Sequence, residues 1–339
     1  MIGRHSWKVT STVFCSAVIV WSFVAIGNTN AQLTHAYNLE EMVRSSDTIV
    51  IARTVVAPLA TSDGTSRLHL TVLQTIRGAD TPSTVSLTFI PRQIAGLVSG
   101  RAEGRVETVA STRIIFLKHQ NGDLQLSNVA YDMLPALNLA LTAGLDALGA
   151  VIAEEGEIIG SPNSGESDKI QAISALGRCK DPRAIPALNR GLTDTSDVVR
   201  LEAVSQLAVK GDVNAILIAQ SILLAPPPSL TDRVIVNLQI GIRDGARTSA
   251  TAPEVAKLLR VNDKATREAA ANALSHVVSD SIIEPLRQAL SDPDRDVRYF
   301  AVVGLAKVTG QKEHLPNGLD FRSNEDKFTN YWRQWQPPE

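Results

Sequence analysis

The sequence predicts a multidomain chain: a small antiparallel β-barrel or sandwich over residues 36–135, then an α-solenoid of helix pairs over 136–310. Three observations predict it. First, Lys169, Arg200, Arg233, Arg267 and Arg298 recur at intervals of 31, 33, 34 and 31 residues. Each is followed three positions later by an apolar residue (Ala172, Ala203, Val236, Ala270, Ala301) and four positions after that by a second (Leu176, Leu207, Ile240, Leu274, Leu305). That step returns to one face of an α-helix, and a period in the low thirties is one helix pair, which buries its apolar face only by stacking on its neighbours. Second, ahead of residue 135 the hydrophobic period is two, in short β-branched runs separated by turn residues. Third, the 339 residues contain only 4% aromatics, and alanine and leucine dominate the second half, which suits close helix packing.

The N-terminus reads as a secretory signal over residues 1–31. Arg4, His5 and Lys8 form a basic start, an uncharged stretch runs from Val9 to Gly27, and Thr29-Asn30-Ala31 gives a small-residue site with cleavage before Gln32. The expected location is the periplasm or the cell exterior. An uncleaved anchor helix is the alternative, and the one case in which membrane contact is expected. Removing residues 1–31 takes away Arg4 and Lys8, so a net charge of −2 becomes −4. A mildly acidic chain lacks the basic surplus that phosphate contacts need, so nucleic acid is excluded as a partner. Cys179 alone then remains. No intrachain disulfide can form, and Cys179 reads as filler at a helix end between Arg178 and Lys180.

In the first domain, Leu39–Ser46 suggests a short helix with Leu39, Met42 and Val43 on one face. Strands are predicted at 48–56, 67–72, 84–90, 112–118 and 124–127, the last two flanking the hairpin signal Asn121-Gly122. Pro91–Thr108, rich in glycine and charge, is long for a hairpin connection and reads as a partner-contacting or solvated loop. The succession SSDTIVIARTVV, LHLTVLQTIRG, TVSLTF, RIIFLKHQNGDLQLSN resembles the netrin-like, OB-type barrel of the metalloprotease-inhibitor family, with Asp47 as the leading acid and Arg77-Gly78 as the basic-glycine turn. Inhibitors of that family act through an N-terminal cysteine. This region has none, so the resemblance implies a barrel and not protease inhibition.

In the second domain, Pro135–Glu155 suggests one long leading helix and Gly160–Ser167 a linker. First helices are expected to start near Asp168, Asp197, Thr231, Ala265 and Asp296, and second helices near Pro182, Val213, Pro253 and Ile282. The strings DKIQAISALGRCKDPRAIPALNRGL and IIEPLRQALSDPDRDVRYFAVVGLAKVTG resemble short bacterial HEAT-like repeats of the type found in phycobilisome lyases and deoxyhypusine hydroxylase. The hydroxylase would imply iron held by His-Glu pairs. Beyond residue 31 no histidine here is followed by glutamate (His35, His69, His119, His276, His314), so neither metal nor cofactor is expected.

An acidic residue precedes each member of the basic series, and Lys169, Arg200, Arg233, Arg267 and Arg298 read as a structural ladder between repeats. The row of second helices is the expected partner face, with Arg183, Arg190, Lys257, Arg260 and Arg287 suited to carboxylates. Residues 311–339 read as an aromatic cap: Phe328, Tyr331, Trp332 and Trp335 at helical spacing, with Phe321 ahead of them. With no Gly-x-Ser-x-Gly, His-Glu-x-x-His, phosphate loop or cysteine pair, the expected function is that of a non-catalytic scaffold binding a protein or envelope component. The alternative is a ligand-binding or modifying site at the barrel–solenoid junction.

Overall fold

The computed structural model describes residues 38–56, 66–79, 81–89, 111–120, 122–127, 133–140 and 144–336. The signal segment and the Pro91–Thr108 loop lie outside the described residues. Helix α1 (Leu39–Ser45) opens the described chain. It carries a capping box, in which Asn38 Oδ1 accepts the Glu41 N–H at 2.9 Å and Glu41 Oε2 accepts the Asn38 N–H at 3.3 Å. Strands β1 (Thr48–Val56), β2 (Ser66–Arg77), β3 (Thr84–Phe89), β4 (Ser111–Gln120) and β5 (Asp123–Leu126) form an antiparallel sheet in the order β3-β2-β1-β4-β5. A sixth strand absent from the sequence reading, β6 (Met133–Pro135), pairs with β4 beside β5, and β3 comes close to β5, so the sheet is a nearly closed barrel. At the end of β2, Gly78 takes φ +103° where a Cβ would press on Thr48. Arg77 donates there to the carbonyls of Val43 and Ser46.

Strands β1 and β4 are buried on both faces. Val50, Ala52, Ile115 and Leu117 point into the barrel with Leu68, Leu70, Val85 and Leu87. Ile49, Ile51, Ile114 and Phe116 point out, into one continuous core with α1 and the helices that follow. Two-sided burial explains why these strands read as unbroken apolar runs while β2 and β3 alternate.

The helical region begins later than expected. Pro135–Asp146 is not helical where described, and α2 spans Ala147–Gly160 because Asp146 caps it, accepting the Gly149 N–H at 2.7 Å. First helices follow at α3 (Glu166–Arg178), α5 (Asp197–Val209), α7 (Asp232–Gly245), α9 (Lys264–Leu274) and α11 (Arg295–Val308). Second helices are α4 (Ala184–Asn189), α6 (Val213–Leu224), α8 (Ala252–Lys257) and α10 (Ile283–Ala289). All but α6 adjoin a 3₁₀ turn, Arg190–Thr193, Leu258–Arg260 and Asp280–Ile282 respectively. Cys179 ends α3 fully buried, its thiol pushed up to about 12 by burial.

One repeat departs from the sequence register. In α7 the buried positions are Leu238 and Ile242, whereas Val236 is exposed and Ile240 half-buried. The apolar face is thus offset by two residues, and Arg233 lies exposed at the start of α7. The cause is the contact with α5. A Cβ at Gly241 would sit 2.9 Å from that of Ala208, and one at Gly245 would overlap the Ala208 carbonyl. Two glycines one turn apart let the helix backbones meet directly, and that close approach sets the register.

The other basic positions make the following contacts. Lys169 Nζ meets Asp194 Oδ2 at 2.5 Å, and Arg267 Nε meets Asp292 Oδ2 at 2.7 Å, each reaching the turn before the next first helix. Arg298 binds Glu325 at 2.5 Å and the Asp292 carbonyl at 2.6 Å. Arg200 folds back onto Asp197 and the carbonyls of Asp194 and Thr195 in its own turn. In the third repeat Gln239 makes the inter-repeat link, donating to Asp263 Oδ2 at 2.8 Å and Thr266 Oγ1 at 3.0 Å.

Helices α12 (Gly318–Ser323) and α13 (Glu325–Gln334) follow α11. Phe321, Phe328 and Trp332 are buried, Tyr331 and Trp335 half-buried, and all five join the common core. The His314 ring stacks on Tyr331 with centroids 3.5 Å apart.

Candidate functional site

The five basic residues expected on the second-helix row do not form one patch. Arg183 donates to Asp181 and to Asp146, tying the start of α2 to the turn before α4. Hydrogen bonding to Arg183 holds both carboxyls below the usual aspartate range. Arg190 is paired with Glu157 of α2. Arg287 contacts Glu284 at 3.6 Å and the Arg333 carbonyl at 3.3 Å, reaching α13. Each of these three sits between elements. Apart from Glu284 in the helix of Arg287 itself, their partners lie at the start of α2 or within it, in a turn and in the tail, which a reading of cation positions does not reveal.

Lys257 and Arg260 are brought together at a hollow of about 370 Å³ between α8 and α10. Its floor is apolar: Ala256 and Leu259 on one side, Pro285 and Ala289 on the other, with Pro253 at the edge. Lys257, Arg260, Gln288, Ser291 and Asp292 supply polar groups. The hollow exists because alanine stands at facing positions of two short helices, where longer side chains would interlock. Alanine and proline recurring about one repeat apart (Ala256 and Ala289, Pro253 and Pro285) were the sequence signal for it. Beside it α6 packs against α8. Along α6, Val213, Leu217 and Leu224 are exposed at helical spacing, an apolar strip in the same row.

A second group of charges lies where the sheet meets the first helices. Arg113 of β4 pairs with Asp168 of α3 at 3.0 Å. Glu154 of α2 accepts the N–H groups of Leu137 and Asn138 at 2.6 and 2.7 Å and of Leu139 at 3.4 Å, pinning the segment that leaves β6; Asn138 there takes φ +63°. Glu155 is 0% exposed, and neither carboxylate oxygen has a hydrogen-bond partner. Burial first, then the adjacent Glu154 charge, pushes its carboxyl well above the usual glutamate range, with Arg113 acting in the opposite sense and Asp168 in the same one.

Glu268, Asp294 and Asp296 also bring carboxylate oxygens within 4.8 Å of one another. Asp294 is already engaged, by Lys264 at 2.8 Å and by the N–H groups of Asp296 and Val297 that it caps. Among the described residues no single helix is long and apolar enough to cross a membrane.

Comparison with known proteins finds repeat signatures in the helical region. A family model described as HEAT repeats matches residues 251–317, and one described as PBS lyase HEAT-like repeat matches 168–194. No curated protein matches. Among solved structures, one engineered protein is 18% identical with a TM-score of 0.32, covering 57% of this chain and 91% of its own. A second is 19% identical with a TM-score of 0.34, covering 55% of this chain and 56% of its own. HEAT-like repeats thus stand in the C-terminal half of the chain, matched at both ends of the stretch 168–317.

Proposed function

We propose that this HEAT-repeat chain is an exported, non-catalytic scaffold that holds a protein partner on its row of second helices. HEAT-like repeats generally serve protein–protein contact, through the extended surface that stacked helix pairs present. The observation that carries the reading is the run of unfilled surface on consecutive second helices: the exposed strip Val213, Leu217, Leu224 on α6 beside the hollow between α8 and α10. Export rests on the basic, uncharged and small-residue succession of residues 4–31.

The test is site-specific photo-crosslinking in the source cells. A benzophenone side chain at Leu217 is expected to give one discrete protein adduct, while one at Val198, exposed on the first helix α5, gives none. Adducts from Val198 and none from Leu217 would overturn the assignment of the face. Recovery of the full-length chain in the cytosol, with no product beginning at Gln32, would overturn export.

Glu155 favours a second reading, a ligand site at the sheet–helix junction, because a buried carboxyl with a raised pKa is the mark of many reactive sites. Glu155→Gln separates the two. Loss of the Leu217 adduct with no loss of stability would favour the junction; an unchanged adduct favours the scaffold.

A further inference from the structure

The geometry points to the hollow between α8 and α10 as a carboxylate-reading pocket, taking an aspartate or glutamate of a partner segment whose adjoining aliphatic residue covers the apolar floor. This rests on the second-helix row being the partner face, and it names the chemistry of that partner.

The argument is a charge inventory of the rim. Lys257 is held by both oxygens of Glu254 at 2.8 and 2.6 Å. Asp292 is held by Arg267 at 2.7 and 3.2 Å. Arg260 differs: its Nη2 donates at 2.6 Å to the amide oxygen of Gln288, whose own Nε2 donates onward to Glu284 at 3.0 Å. A neutral amide satisfies one N–H, and among the described residues no carboxylate pairs with this guanidinium. The guanidinium is exposed at the rim. Its planar fork offers further N–H groups in the geometry that matches a carboxylate and not a point charge. A carboxylate arriving there replaces the amide with an ion pair, and Gln288 swings aside without losing its bond to Glu284.

The floor supplies the second half of the specificity. Ala256 and Ala289 leave room for one side chain of medium size, and Pro253 and Pro285 stiffen the two helix starts that flank it. An aliphatic side chain fills that floor, while a second cation would be repelled by Lys257 and Arg260. The rest of the segment then lies toward α6 and its exposed Leu217 and Leu224. Arginine beside a small apolar pocket is the arrangement from which interface hot spots are built.

The test pans the full chain against a phage-displayed library of random short peptides. The expected winners place aspartate or glutamate next to leucine, isoleucine or valine. A synthetic copy of the strongest peptide is expected to lose about tenfold or more in affinity for Arg260→Glu and for Ala256→Phe, which fills the floor. A peptide with lysine in place of its acid should regain binding to Arg260→Glu. Melting curves of both variants should match wild type, since Arg260 is exposed and Ala256 half-buried. No acidic-aliphatic family, or binding indifferent to both substitutions, overturns the pocket. If Leu217→Glu then abolishes binding, the partner face survives and only the pocket falls; indifference to all three substitutions removes both.

Discussion

Replacing Glu155 with glutamine should stabilise this protein, and by more as the pH rises. The side chain is fully buried on α2, both its oxygens lack partners, and Glu154 stands next to it. Its folded pKa lies above the usual value of 4.5, so the folded chain keeps a proton that the unfolded chain releases. Its contribution is therefore most favourable below the unfolded value and is lost as the pH rises toward the folded one. One retained proton corresponds to a slope of about −1.4 kcal/mol per pH unit across that window. Glutamine has nearly the same shape and no titration, so the slope vanishes. Arg113, Glu154 and Asp168, the charged groups around it, are common to both proteins. The assay is urea unfolding followed by tryptophan fluorescence, reported by the fully buried Trp332, at several pH values between 5 and about 8. The gap between the two proteins should widen with pH by about 1.4 kcal/mol per unit until the folded pKa is reached. Parallel curves would refute the reasoning, because they would mean that Glu155 ionises in the folded chain as freely as in the unfolded one.

Three further outcomes follow from the packing. Gly245→Ala should destabilise by about 2–4 kcal/mol, because the new methyl meets the Ala208 backbone, which cannot yield as a side chain could. Gly165→Ala, with open space around it, should change unfolding little. Arg267→Met should cost about 3 kcal/mol by stranding Asp292, which is only 6% exposed, whereas Arg183→Met, at 42% exposure, should cost under about 1 kcal/mol, and urea midpoints separate the two. Deleting residues 321–339 should lower the melting temperature sharply by baring the face of α11 that Phe321 and Trp332 cover, and an unchanged melting curve would remove the cap assignment.

Local order was largely legible in the sequence, and pairing was not. Helix and strand positions come from periodicity and capping, both properties of neighbouring residues. Asp197, Val213 and Thr48 therefore fell where elements begin. The offset in α7 escaped because it is set by contact with α5: nothing in VIVNLQIGIRDG alone says that Gly241 and Gly245 must face Ala208. The start of α2 escaped for a similar reason, since the segment from Leu137 to Leu139 gives its N–H groups to Glu154 and not to a helix. At the candidate site the sequence supplied the cations and withheld their partners. Arg183 and Arg190 are tied to Asp146, the cap of α2, and to Glu157 within it, each more than thirty residues away, while Arg260 rests on an amide. The difference between a structural cation and one able to receive a partner is tertiary.

The two-sided burial of β1 and β4 bears on how the chain must be made. A repeat array can gain its helix pairs one after another as they emerge from synthesis. The sheet cannot. Ile49, Ile51, Ile114 and Phe116 are in place as soon as β4 is, and α1 lies against β4, but the rest of their core comes from α2 and α3, which end only at Arg178. During that interval the nascent chain carries an aliphatic and aromatic face that α1 covers only in part, open to non-specific association. A chaperone that shields extended apolar surface would act on this stretch, and the arrival of α3 is the event that releases it.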